Sequence, residues 1–407
     1  MTPARVGSLA LTVTALELAS GLPMGFVSDF VPVWARSVGE SQAVVGALGA
    51  VAGIWSAKVL WGPWVDNVWS YKAWGLAALT AMLAAAVAGA SWPAAAVAAL
   101  VALGVFGGLL DVAFDAWLIT ATPAHALGQI SGLRVAAYRT AMALGGGGAI
   151  WLGGRYGWAM GWWLVAALLA LLLLGLWRVP GPTRAATGER QPRFVAALLA
   201  WLLRRDTLAV VAAAVLYRLG DALTATMSRA FWVDVKLTTD QMGLLGALGG
   251  SVLTAAGALL GGALTGRLGL PRALAWLGAS QVLSNAVYGL VAISPSPTAV
   301  LGAGAFEALT TGLGAAPLVT LLISATEGHQ PATRFAALTA AAGLTRAVAS
   351  AVSGVGAQEL GYAGWFGVTA VVGIPGVLLA FAVARDRLIR EFGPWRGDGP
   401  PTPRGIG

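Results

Sequence analysis

Apolar residues run along this chain in stretches of about 20, each bounded by charge, Gly or Pro, which is the length a helix needs to cross the hydrocarbon core of a bilayer. The pattern predicts roughly twelve such helices, at 8–33, 41–63, 73–91, 94–122, 127–153, 157–178, 207–231, 240–265, 270–293, 297–324, 334–357 and 362–384. After the sixth, R-V-P-G-P-T-R-A-A-T-G-E-R-Q-P-R is polar, and F-V-A-A-L-L-A-W-L-L-R-R is a short amphipathic stretch. The expected organisation is a six-helix bundle at 1–178, a cytoplasmic linker with a short amphipathic helix at 179–206, a second six-helix bundle at 207–385 and a disordered cytoplasmic tail at 386–407.

An internal repeat supports two halves. V-V-G-A-L-G-A-V at 44–51 answers L-L-G-A-L-G-G-S at 244–251, and L-I-T-A-T at 118–122 answers L-I-S-A-T at 322–326. The shared order and offset pair the second helix with the eighth and the fourth with the tenth. Two parallel six-helix repeats are an architecture of major facilitator transporters, which bind substrate near the midplane between the halves.

Composition agrees with an all-α, multi-pass membrane protein: 58% of residues are apolar, 10% are charged, and mean hydropathy is +0.78. The net charge of +8 does not indicate nucleic acid, because the basic residues lie mostly between the apolar runs. Placing the N-terminus in the cytoplasm puts about four times as many Lys and Arg on that side as on the other, so both termini are expected to be cytoplasmic. The first run holds Glu17 and leads straight into another span, unlike a cleaved signal peptide. With no cysteine and two histidines in connecting segments, thiolate sites are excluded and an enzyme's intramembrane cluster is missing. No cofactor or metal is expected, and the partners expected are a small-molecule solute and the bilayer, with the chain a monomer.

Ionisable residues inside the spans carry the chemistry, since each costs about 2.5–3.5 kcal/mol to insert even on the lower scales. They are Glu17, Lys58, Asp111, Asp115, Arg134, Arg139, Arg218, Asp221, Glu307 and Arg346. Asp111 and Asp115, four apart, share a helix face that must look toward protein or water. Counting about 1.5 Å per residue, Asp115 lies level with Arg134, and Asp111 with Arg139. The two arginines are about 140° apart around their helix, so one is free to line a central cavity and grip a carboxylate or phosphate, with Tyr138 beside it. Asp115 with Arg134 can be a structural lock or a gate. Asp111, Asp115, Glu17 and Asp221 are the candidate protonation sites, because a carboxylate that alternates between an arginine and a proton is what proton coupling needs. Lys58, near a cytoplasmic end, can snorkel. Glu307 is either an outward proton gate or a satisfied helix contact. Asp66, in L-W-G-P-W-V-D-N-V-W-S-Y-K, either caps a helix and holds the inward gate or is a solvated loop residue. Gly145 to Gly148 either allows close helix approach or marks a kink.

The runs L-D-V-A-F-D-A-W-L-I-T-A-T-P and S-G-L-R-V-A-A-Y-R-T-A-M, with A-S-G-L-P-M-G, L-Y-R-L-G-D-A-L and A-S-Q-V-L-S-N-A-V-Y, resemble AmpG-type permeases of the major facilitator superfamily, relatives of the acetyl-CoA transporters. The resemblance implies a secondary transporter of the bacterial inner membrane that imports anhydro-muropeptides by proton symport and alternating access. On that footing Arg139, Tyr138, Arg218, Arg346, Gln281 and Asn285 form the expected substrate-binding set, and Asp66, Arg134 and Glu307 the gating set. An exporter, or a carrier of a drug, acyl-CoA or sugar phosphate on the same scaffold, fits the residue types equally. A sensor or membrane enzyme is the distant alternative.

Overall fold

A computed structural model describes residues 3–61, 65, 69–121, 134, 137–178, 201–325 and 331–392, and among these there is no strand. They form twelve helical segments. The first runs Pro3–Gly25, passes through a π-helical turn at Phe26–Phe30 and continues as Val31–Ser37. The second is Gln42–Gly49, tightening to 3-10 geometry over Ala50–Trp61; the third is Tyr71–Ser91 and the fourth Ala96–Ala121. The fifth covers residues 137–143, a π-helical turn at Leu144–Gly148 and Ala149–Tyr156, and the sixth is Ala159–Arg178. The seventh is Arg205–Asp234, the eighth Gln241–Leu248 followed by Gly249–Leu268, the ninth Leu270–Ile293 and the tenth Pro297–Ser324. The eleventh and twelfth form one helical run, Pro331–Phe392, broken at Gly361, whose φ of 67° lies in the left-handed region that glycine enters without steric cost. Eight stretches, one of them spanning that break, are long and apolar enough to cross a membrane.

The starts are capped by local chemistry. The hydroxyls of Ser41, Ser70 and Ser296 accept from the backbone N–H groups of Val44, Ala73 and Ala299, satisfying donors that the first helical turn leaves free. Residues 386–392, assigned from sequence to a disordered tail, are instead the last turns of the twelfth helix. Arg387 Nη2 donates to the Ser324 carbonyl at 2.8 Å and ties that end to the tenth helix, a cation placed on a helix C-terminus. The seventh helix begins at Arg205, inside the expected linker, whose residues 179–200 lie outside the described residues.

Within the first half, the first helix packs on the fourth, fifth and sixth, and the third on the fourth and sixth; within the second, the seventh packs on the eleventh–twelfth run and the eighth on the tenth. Each half holds an aromatic cluster. Phe26 stacks on Phe30 at 4.3 Å with Trp162 and Trp158 against them, and Phe231, Tyr288, Tyr362 and Phe366 form the counterpart.

The halves meet through helices that the internal repeat relates. A Cβ built on Gly53 of the second helix would lie 1.9 Å from the Cβ of Ala347 on the eleventh, and one on Gly46 would lie 2.6 Å from the Ser350 carbonyl. On the related pair, a Cβ on Gly147 of the fifth helix would lie 2.6 Å from the Gly243 carbonyl on the eighth. Only glycine permits backbones this close, so the glycine run of the fifth helix is both a close-approach surface and a π-helical turn. Thr226 and Ser350 share a hydrogen bond of 2.8 Å, and Ser350 also donates to the Gly46 carbonyl at 3.1 Å. These cross-half contacts lie toward one end of the molecule, the end formed by residues 37–42, 156–159, 234–239 and 361.

Candidate functional site

Three carboxylates in the first half share two cations. Arg134 on the fifth helix donates through Nη2 to Asp115 on the fourth at 2.6 Å, and through Nε to Glu17 on the first. Lys58, on the second helix, does not snorkel: its Nζ lies 3.5 Å from Asp111 and 3.8 Å from Asp115. Asp111 is not paired with Arg139, as matched depth suggested. Its Oδ2 takes the Lys58 ammonium and the indole N–H of Trp55 at 3.0 Å. The reason is azimuth: Asp111 faces the second helix, where Trp55 and Lys58, three apart, lie on one side, and the Trp55 ring rests where Gly107 has no side chain. Trp55 is a site residue that its mid-span position signalled only weakly, through an indole N–H that needs a partner when buried.

Toward the middle of the chain's two halves lies a cationic group. Arg139 on the fifth helix lies in the field of Arg218 on the seventh and Arg346 on the eleventh, and the Tyr138 phenol lies in the field of Arg139, Arg346, Asp111 and Glu17. All three arginines are half-buried. Arg218 is bridged to Asp221 at 3.5 Å, one turn along its own helix, while Thr311 of the tenth helix donates to the other Asp221 oxygen at 2.9 Å. Arg139 and Arg346 form no ion pair among the described residues. Each guanidinium carries five donors in a planar fork, the chemistry that can bind a carboxylate or phosphate.

Gln281 and Asn285 do not join this group. They are 4% and 1% exposed, buried inside the second half against Gly314 and Gly220, and both Gln281 amide atoms and Asn285 Oδ1 have no hydrogen-bond partner among the described residues.

At the closed end, two ion pairs cross between the halves, and neither was singled out from sequence. Arg229 on the seventh helix donates through Nε to Asp29 on the first at 2.9 Å, with its guanidinium 4.3 Å from the centre of the Trp232 ring. Asp29 sits in the π-helical turn Phe26–Phe30, and a Cβ on Gly146 would lie 2.8 Å from its Cβ. Nearer the surface, Arg36 donates twice to Asp234, at 2.7 and 2.8 Å, and Tyr362 donates to the same carboxylate at 2.7 Å. The hydrogen bond and charge of Asp234 hold the Arg36 proton still more firmly than usual. Counting basic residues for topology treated Arg36 and Arg229 as surface charges and so concealed both pairs. Glu307, on the tenth helix, is 7% exposed and forms no ion pair among the described residues. Asp66 lies outside the described residues.

Residues 9–219 match the family model of the Major Facilitator Superfamily. The anhydromuropeptide permease of Escherichia coli strain K12 is 30% identical over 379 residues, covering 89% of this chain and 77% of that protein. A Rickettsia felis protein carrying the name AmpG 4 is 23% identical, covering 89% of this chain and 94% of its own. Among solved structures, a bacterial homologue of the human lysosomal transporter Spinster, inward-facing and unoccupied, superposes with a TM-score of 0.74 at 16% identity, covering 95% of this chain and 98% of that one. A D-xylose–proton symporter gives 0.73 at 16% identity, covering 93% and 97%. With a match over half the chain, a permease relative along most of its length and the fold of these solved structures, the chain belongs to the AmpG-type permeases of the major facilitator superfamily and is a multi-pass membrane transporter.

Proposed function

We propose that this transporter imports an anionic solute, an anhydro-muropeptide in the first instance, across the bacterial inner membrane by proton symport. The observation that carries the reading is the pair Arg139 and Arg346, contributed by opposite halves and left without carboxylate partners. A solute carboxylate held by both arginines ties the two halves to one ligand, which is what alternating access around a fixed site requires. The name of the Escherichia coli relative supports the choice of solute. With both termini cytoplasmic, the end joined by Arg36–Asp234 and Asp29–Arg229 faces outward.

The proton side rests on the first-half network. Three carboxylates, Glu17, Asp111 and Asp115, share Lys58 and Arg134, so a fully ionised network carries one negative charge too many, and one proton neutralises it. The test is uptake of labelled anhydro-muropeptide into proteoliposomes with an imposed proton gradient. Accumulation that vanishes when the gradient is collapsed, and a loss of at least about tenfold in Arg139→Ala and Arg346→Ala, about 1.4 kcal/mol or more of binding, are the expected results. Uptake indifferent to the gradient removes the symport half; wild-type uptake in both arginine variants removes the site.

A further inference from the structure

Glu307 is an acid of the spans whose position the transport reading above leaves unused. It is 7% exposed on the tenth helix. Its neighbour one turn earlier, Gly304, packs on the Tyr288 hydroxyl and the Trp232 ring, the same ring that carries the Arg229 guanidinium. Trp232 in turn donates to the Tyr288 hydroxyl at 3.3 Å. The charged and titratable groups around Glu307 are Arg229 and Asp221 on the seventh helix, Asp29 on the first, Arg346 on the eleventh and Tyr288 on the ninth. Arg229 and Glu307 act on each other through space without an ion pair, because Arg229 is turned toward Asp29 in the opposite half.

A buried carboxylate that ionises needs a bonded cation, and Arg229 is a neighbouring one already engaged by a single carboxylate. We propose that Arg229 exchanges partners between Asp29 and Glu307, so that the halves stay joined at the outer end while Glu307 carries a proton and separate there when it gives that proton up. In the closed state Arg229 bridges the halves to Asp29. When Glu307 loses its proton, its carboxylate draws Arg229 into the second half, the pair with Asp29 breaks, and the exposed Arg36–Asp234 pair is left to hold the end alone. That pair lies nearer the surface, where water and salt screen it. The proton passes to water of the outer side as that end opens, in the same step as the exchange of partners, and reclosing takes one up from that water. This rests on alternating access but not on which solute is carried.

The chain has no cysteine, so labels can be placed at will. Spin labels at Val38→Cys and Asp240→Cys, both exposed and in opposite halves at the closed end, report its opening as a distance by electron–electron resonance in the full chain in lipid nanodiscs without solute. Between about pH 5 and about pH 9 the longer-distance population is expected to grow severalfold. Glu307→Gln is expected to stay at the short distance throughout, and Asp29→Asn to favour the long distance at every pH. A Glu307→Gln protein that keeps the parent's pH dependence overturns the proposal. Should that variant not fold, Asp29→Asn decides alone, and a distance that stays short in it overturns the proposal equally. Because no solute is present, a failure to transport muropeptide leaves these distances unaffected, and the two readings fail separately.

Discussion

An indole N–H and an ammonium converge on one oxygen of Asp111, and that arrangement constrains what the acid can do. Both donors use that oxygen as an acceptor, so a proton on Asp111 has to sit on the other carboxylate oxygen. Asp111→Asn keeps an amide oxygen for Trp55 but removes the exchangeable proton. It is expected to abolish gradient-driven accumulation in proteoliposomes while solute exchange across the membrane continues; unchanged accumulation would take Asp111 out of the coupling. Trp55→Phe removes a hydrogen bond to a charged group in a site where Trp55 is 5% exposed. The expected loss is about 1.5–3 kcal/mol, seen as a lower unfolding temperature in detergent, and a variant as stable as the parent would show that Lys58 alone satisfies the acid. The sequence showed which residues had to find partners but not which partners they found. Depth along a helix follows from counting, whereas the direction a side chain faces depends on how the helices are rotated against each other. Asp115 met Arg134 at its own level, but Asp111 turned away from Arg139 toward the second helix.

At the scale of helices, the pairs that join the halves at the closed end are the ones the internal repeat relates, second with eleventh and eighth with fifth. Of the glycines that allow the contacts, Gly46 lies in the repeated string at 44–51 and Gly147 in the run Gly145 to Gly148, whereas no pattern marked Gly53 or Gly243, and the partners lie about 100 to 300 positions away. Gly53 packs against Ala347 with no room for a methyl group. Gly53→Ala is therefore expected to disfavour the closed end by about 1–3 kcal/mol through overpacking, which lengthens the distance between labels at Val38→Cys and Asp240→Cys. Adding Ala347→Gly returns the methyl space and is expected to restore the short distance. If the double variant stays as open as the single one, the contact is not what sets the equilibrium. The span boundaries were legible to within a few residues because hydropathy is a local property. The twelfth helix outran its expected end because Arg387 caps the tenth helix, a tertiary contact that no local pattern carries.

Over the whole molecule, the charges set away from the helix ends balance in number but not in place. Glu17, Asp29, Asp111, Asp115, Asp221 and Glu307 face Lys58, Arg134, Arg139, Arg218, Arg229 and Arg346. The surplus of positive charge is at Arg139 and Arg346, between the halves; the acids without a cation of their own are one of the three in the first-half network and Glu307. An anion seated on the two arginines cancels their charge and leaves the carboxylates in excess, a condition that proton uptake relieves. Solute and proton should therefore bind with positive coupling, each strengthening the other by the same factor. The sign follows: solute binding draws protons onto the carboxylates, so affinity is full at low pH and falls as pH rises through the linked group, by up to about tenfold per pH unit for one proton. Adding muropeptide to the purified protein in weakly buffered detergent with a pH-indicator dye is expected to raise the pH by an amount equal to about one proton per solute bound. A saturable binding signal with no change in pH would mean that the anion is neutralised by the arginines alone, and that the unbalanced carboxylates serve to hold the helices together.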